Sequence, residues 1–335
     1  MTMQLDLVRT ATTGIAARSV DPGRNVAQFD AVHGPTTLAV LDLPPLVDTP
    51  VSGPVVGVFA AGASAGWRRA SLLASIDEGV TFAPIGSTAL SATMGSSVTA
   101  LAAGSVALVD RVNSVDVVLL NASMLLSDAD DAALLGGANR AMIGDEMLQF
   151  GRATPISPGR WRLSEFWRGR RGTEGFAGPH PAGTAFVLVE EETTALLAPA
   201  QAVAGVIVMA AGIGDAEPFP QATCPAAGRA VTPLTPVHPT VTLLSGGDLH
   251  IGWTRRSRVG WAWRDRLDAP LGEEREAYRV EWPSGRADVN EPSFVFTSAM
   301  RAVAAAGGAS SVSFEIVQCG DLALSPPLRV AVPIA

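Results

Sequence analysis

Glycine and proline set the first limit on this chain. Its 335 residues include 34 Gly and 24 Pro. Proline fixes φ and removes a backbone donor, and glycine weakens a helix interior. Long helices are therefore excluded, and frequent turns are expected. Between the turns lie short apolar or alternating runs. Residues 55–61 are continuously apolar, as in a strand covered on both faces. Arg160-Trp161-Arg162-Leu163 alternates, as does 249–254, where Leu249, Ile251 and Trp253 share one face. Residues 277–282 alternate and turn at Pro283-Ser284-Gly285. The pattern predicts a mainly β protein built of β-sandwich-type domains.

Further strands are expected at 82–85, 88–93, 107–109, 115–120, 147–150 (ended by Gly151) and 204–209. Ser127 or Asp128 is expected to cap a short helix ending near Leu135, with acids in its first turn. The Pro-rich stretch 219–235 marks the main boundary. After it, about six strands over roughly 100 residues fit a fibronectin-III-like sandwich, with helical turns at 298–306. The division is 1–37, an N-terminal hairpin and linker; 38–225, a β-rich domain; and 226–335, the sandwich.

The densest sequence is 134–190. It contains Trp161, Phe166 and Trp167 among the arginines Arg160, Arg162, Arg168, Arg170 and Arg171. A second Arg/Trp-rich segment lies between Trp253 and Tyr278. It holds Arg255, Arg256, Arg258, Trp261, Trp263 and Arg264, followed by Glu273, Glu274 and Glu276. A connection that long in a compact domain is usually functional or disordered, and Trp with Arg is an interface composition. We therefore take Arg168, Arg170, Arg171, Arg255, Arg256, Arg258, Trp261 and Trp263 as candidate interface residues.

Both segments carry a resemblance. In the first it rests on Gly137-Ala138-Asn139, Ile143-Gly144, Glu146, Gln149-Phe150, Ala153, Pro158-Gly159, Arg162-Leu163-Ser164, Arg168-Gly169, Arg171-Gly172-Thr173-Glu174, His180, Ala182-Gly183 and Phe186-Val187. In the second it rests on Trp253, Arg255, Arg256, Arg258, Gly260, Trp263, Pro270-Leu271-Gly272-Glu273, Glu276, Tyr278, Val280 and Glu281. Together these resemble the C-terminal part of the large tail-tip hub protein of gene transfer agents and related long-tailed phages. Glu165-Phe166-Trp167 departs from that pattern, replacing an aliphatic pair. The resemblance implies a virion component made in a bacterial cytoplasm and placed at a tail tip or baseplate. Residues 1–37 would then end a preceding hub domain, and 38–225 would serve fibre binding. The implied partners are other baseplate proteins and tail fibres, and the implied state is a homo-oligomer, a trimer by analogy.

Charge bounds the alternatives. All 24 basic residues are Arg, and the net charge is −8 with a pI near 5.1. An acidic chain lacks the broad basic surface that nucleic-acid affinity needs. The start of the sequence has no apolar core of a secretory signal, and the longest apolar run, 202–211, is too short to cross a bilayer. Cys224 and Cys319 form no framework. His33, His180, His238 and His250 show no ligand spacing, so no metal or cofactor is expected.

Two enzyme patterns remain. Gly62-Ala63-Ser64-Ala65-Gly66 fits the G-x-S-x-G elbow after an apolar strand, with His180 or His250 downstream. A serine hydrolase using Ser64 is one alternative, against a small-residue hairpin loop. Acid pairs in Glu190-Glu191-Glu192 or Asp128, Asp130 and Asp131 could serve a glycosidase, against solvated charge runs. A carbohydrate-binding module stacking sugars on Trp261 and Trp263 is the other alternative. The reading favoured is a non-enzymatic structural protein.

Overall fold

The computed structural model describes residues 33–260 and 266–334. The expected hairpin at 4–18 lies outside them, as do Trp261, Trp263 and Arg264. The chain begins with β1 (Thr36–Leu43), β2 (Val55–Gly62), β3 (Ser71–Ser75) and β4 (Ala83–Ser87). It then closes a barrel of β5 (Met94–Ser97), β6 (Asp110–Leu119), β7 (Arg140–Ile143), β8 (Glu146–Ser157), β9 (Arg160–Trp167) and β10 (Ala185–Leu188). It returns with β11 (Ala195–Leu196), β12 (Val206–Ala211) and β13 (Gln221–Cys224).

The returning strands complete what the first four began. The sheets are β1-β2-β11 and β13-β12-β3-β4, and the barrel order is β10-β5-β6-β9-β8-β7, closed on itself. The barrel is thus an insertion between two halves of a sandwich. Strand β2 explains how they are joined. Its Val56, Val58 and Ala60 pack between the two sheets, while Phe59 and Ala61 belong to the barrel core. A strand covered on both faces has no solvent side to mark with polar residues, hence the unbroken VVGVFAAG.

Closure removes the barrel's free edges. The β7–β8 hairpin turns through two residues, Gly144 and Asp145, with Gly144 at φ 57°. That is the positive φ a tight hairpin requires. Backbones approach closely at Gly95, where a Cβ would lie 2.0 Å from the Val118 carbonyl oxygen. Met142, Phe150, Leu163, Phe166 and Phe186 fill the interior.

Several local expectations are corrected. Strand β8 does not stop at Gly151 but runs to Ser157. Residues 107–109 form no strand; they lie in a bend at the edge of a cavity beside Arg168. The short helix α1 (Asp131–Leu135) is capped by Asp130, which accepts from the Ala133 amide at 2.8 Å. Asp128 instead accepts from the Ala153 amide at 2.8 Å and pairs with Arg152.

The C-terminal unit comprises β14 (Val237–Leu243), β15 (Leu249–Thr254), β16 (Tyr278–Trp282), β17 (Gly285–Val289), β18 (Ser293–Phe296), helix α2 (Ser298–Ala306), β19 (Ser311–Gln318) and β20 (Leu328–Pro333). A three-stranded sheet, β14-β15-β18, faces a four-stranded one, β17-β16-β19-β20. That is the strand order of a fibronectin type III sandwich, as expected. Ile251, Tyr278, Val280, Phe296, Phe314 and Ile316 form its core. Thr297 caps α2, accepting from the Met300 amide. Strand β17 carries no periodic signal in the sequence, because GRADV buries no residue.

Candidate functional site

The sequence Arg168-Gly169-Arg170-Arg171-Gly172-Thr173-Glu174 leaves β9 as a tight loop and sends each long side chain to a different place. Gly169 takes φ 57° and Arg171 φ 58°. A left-handed arginine is uncommon, and such positions persist where surroundings hold them.

Arg168 points inward. It is among the largest fully buried side chains. Its Nε and Nη2 donate to the two carboxylate oxygens of Glu146 at 2.7 and 2.8 Å. Its Nη1 donates to the Ala102 carbonyl at 3.0 Å and lies 3.4 Å from Asp110 Oδ2; Nη2 also reaches the Gly178 carbonyl. The Gly169 amide donates to Glu146 Oε1 at 2.8 Å, and His180 Nε2 lies 2.7 Å from Glu146 Oε2. Burial pushes the Asp110 carboxyl up. Hydrogen bonds from Asn113 and the Asn113 and Val112 amides, with the Arg168 charge, outweigh that and hold it below the usual range. A guanidinium and a carboxylate taken out of water need this fork geometry and these extra donors to be tolerated.

The next side chains reach outward. Arg170 donates to Gln149 Oε1 at 2.9 Å and lies over the Trp167 ring, 5.2 Å from its centroid. Arg171 pairs with Asp48, in the β1–β2 connection, at 3.1 Å. Thr173 Oγ1 accepts from the Met147 amide at 3.0 Å. Glu174 pairs with Arg256 of the C-terminal sandwich. One loop therefore touches the barrel interior, the first sandwich and the last one.

The connection to the C-terminal sandwich is held in the same way. Asp42, buried on β1, accepts from the Gly228 amide at 3.0 Å and the Arg229 amide at 3.4 Å. Burial, the largest influence, raises its carboxyl above the usual range against those amides and Arg229. Its Oδ1 has no partner among the described residues. Arg229 pairs with Asp145 at 2.7 Å and covers the Phe176 ring. Arg258 donates to Glu273 Oε1 at 2.6 Å and to the Ala230 carbonyl at 3.2 Å.

The expected outward interface is thereby redrawn. Arg168 and Arg258 are buried and bound to carboxylates of their own chain. Arg255 is largely covered and ties down its own loop through the Pro270 and Ala269 carbonyls and Asp268. Arg256 joins two modules. Arg170 and Arg171 remain half-buried at the junction. Arg160 and Arg162 of the same cluster both hold Asp116 of β6, at 2.8 and 2.7 Å. Their hydrogen bonds, that of Arg162 foremost, keep the Asp116 carboxyl below the usual range against burial. An Arg- and Gly-rich loop reads as solvated charge because its acids come from remote strands. The available signal was a carboxylate set in an apolar run: Glu146 in IGDEMLQF and Asp42 in AVLDLPP.

The nucleophile-elbow pattern around Ser64 does not acquire its expected frame. Ser64 lies in a turn whose carbonyl accepts from the Trp67 amide. The chain continues into strand β3, not into a helix, so the strand–turn–helix of a nucleophile elbow is not formed. His180 is committed to Glu146, and His33 lies 2.9 Å from the Gly66 carbonyl through Nδ1. Among the described residues no group of His, Cys, Asp and Glu is arranged to hold a metal, and no helix is long and apolar enough to cross a membrane.

The molecule is thus a multi-sheet β protein with an inserted barrel, a fibronectin type III sandwich and arginine-stapled junctions. Residues 92–187 match the family model described as Rcc01698-like, C-terminal. That span begins just before β5 and ends within β10, so it coincides with the barrel. Among solved structures the chain is similar to a two fibronectin type-III domain segment from chicken tenascin, at 10% identity over 71% of this chain and 99% of that one, TM-score 0.21. It is also similar to the chicken CNTN1 FN1-FN3 domains, at 9% identity over 90% of this chain and 99% of that one, TM-score 0.20. The strand order, not these superpositions, defines the C-terminal fold. No curated protein matches the sequence.

Proposed function

We propose that this chain is a structural component of a phage-like tail tip or baseplate of the gene-transfer-agent type, working through assembly and fibre attachment rather than turnover. The observation that carries the reading is the coincidence of the Rcc01698-like match with the inserted barrel. Glu146, Arg168, Gly169 and His180, which carry the tail-tip resemblance in the sequence, meet there in one buried network. The arginine staples support a role as a stiff connector, since they fix a barrel and two sandwiches together through short charged contacts. A fibronectin type III sandwich fits a structural or adhesive role.

The test is antibody-gold electron microscopy of particles released by the source cells. Label confined to the tail end is the expected result. Free cellular protein with no label on any particle would overturn the reading. The hydrolase alternative is checked on the same protein: a fluorophosphonate probe is expected to leave it unlabelled, and labelling lost in Ser64→Ala would replace the structural reading.

A further inference from the structure

Two barrel arginines are half-buried with no carboxylate at ion-pair distance among the described residues. Arg140 donates to the Leu46 carbonyl at 3.2 Å, and its Nε is buried without an acceptor among the described residues. Arg170 has Gln149 and the Trp167 ring, both uncharged. Burial first, and then the neighbouring Arg171 charge, lower the proton affinity of both guanidinium groups. Glu174, which opposes this at Arg170, is taken by Arg256. Leaving cations partly desolvated and unpaired is costly.

Arg170 borders an opening. Trp167, Arg168 and Arg170 line a cavity of about 270 Å³ with residues 106–109. Its lip is apolar: Val106 is 46% exposed and Leu108 74%. The Trp167 indole nitrogen is buried without an acceptor among the described residues. The wall thus offers a cation short of an anion and an apolar rim.

The complementary surface is on the same chain. Glu190, Glu191 and Glu192 are exposed and have no cation at ion-pair distance among the described residues. Leu196, just beyond them, is 61% exposed. The Val189 amide donates to the Arg140 carbonyl at 2.7 Å, so the acidic run leaves the barrel beside Arg140. Within one chain the two patches do not pair. Neighbouring patches of opposite charge on one protein are the ingredients of a self-complementary contact.

We propose that a second copy of this chain docks its Glu190–Glu192 turn against the Trp167/Arg170 cavity, with Leu196 packed on the Val106–Leu108 lip. This rests on the assembly reading above and specifies one of its contacts. The test is sedimentation velocity of the full chain over a range of protein and NaCl concentrations. The wild type is expected to self-associate, and less so as salt rises, because exposed charge pairs are screened. Arg170→Glu is expected to weaken association at least tenfold. So is Glu191→Arg with Glu192→Arg, which alters only exposed side chains and keeps the test independent of any folding defect in Arg170→Glu. A mixture of the two variants is expected to associate again. A strictly monomeric wild type, or association indifferent to the glutamate reversals, would overturn the proposal. Gold label at tail ends with a monomeric chain would remove this contact and leave the assembly reading standing. Charge-dependent association with no label would do the reverse.

Discussion

The barrel and the C-terminal sandwich are both antiparallel β, yet different contacts hold them. The sandwich has an aromatic centre. Phe296 and Phe314 meet edge to face at 5.1 Å, Trp282 packs on Phe294, and Trp253 stands against Tyr278 at 5.1 Å. The barrel also has an apolar interior, but at one end it encloses Arg168, Glu146, His180 and Asp110. Aromatic packing is largely indifferent to which partner supplies the next ring. A buried ion network tolerates one arrangement only, since each member left unpaired is a desolvated charge. The contrast teaches where each part is vulnerable: the sandwich to lost volume, the barrel to a single lost partner.

Removing one partner of the buried network should have the largest effect. Glu146→Ala leaves the Arg168 guanidinium buried without its carboxylate. A loss of roughly 3–5 kcal/mol is expected, read from urea denaturation. Hydrogen exchange should show the loss in β7–β9 before the C-terminal strands. Uniform loss over both regions would erase the distinction drawn here.

Phe314→Ala is the matching change in the sandwich. It should cost about 3–4 kcal/mol through lost burial and a residual cavity. Exchange should rise in β15–β20 while the barrel amides stay protected. Phe314→Leu should recover much of the loss, because volume matters there more than identity. No comparable rescue is expected from Arg168→Lys, which keeps the charge but not the two-pronged fork.

Two smaller effects sharpen the comparison through pH. Asp42 has a raised carboxyl, so the stability it contributes is full below its unfolded pKa and is lost as pH rises through the folded value. Asp42→Asn keeps an acceptor for the Gly228 amide and removes the buried charge. Its melting temperature should exceed the wild type's at neutral pH, and the gap should close on acidification toward pH ~4. Asp116 has the opposite sign. Its depressed carboxyl contributes stability above the unfolded pKa, lost as pH falls through the folded value. Both arginine partners are about half exposed. Asp116→Asn should therefore cost only about 1 kcal/mol near neutrality and less in acid, measured as the shift in urea midpoint with pH.

Legibility followed the same divide. The sandwich was readable because its strands alternate: Leu249, Ile251 and Trp253 point one way, and Tyr278 and Val280 likewise, so period two reports the buried face. Strand β17 escaped because an edge strand with no buried side chain leaves no such mark. The barrel's closure could not be read, since β5 and β10 are short and their pairing joins Met94 to Val187 across the chain. The insertion was equally hidden. Strands β3 and β12 are neighbours through Leu73 and Met209, a pairing no local pattern announces.

At the junction, sequence marked the right loop and misjudged its direction. By itself the sequence determined the β class, the central burial of β2, the fibronectin-like C-terminus and the segments rich in Arg and Trp. These follow from local chemistry: turn residues, periodicity and side-chain type. Only the tertiary structure decided which arginines face inward. Arg168 and Arg170 stand two residues apart in one glycine-spaced loop. One is fully buried because Glu146 arrives from β8 with His180 beyond it. The other lies half-open on Trp167 because, among the described residues, no acid comes near enough to pair with it. An arginine's solvation is set by the carboxylates that the fold brings to it, and those are specified tens of residues away.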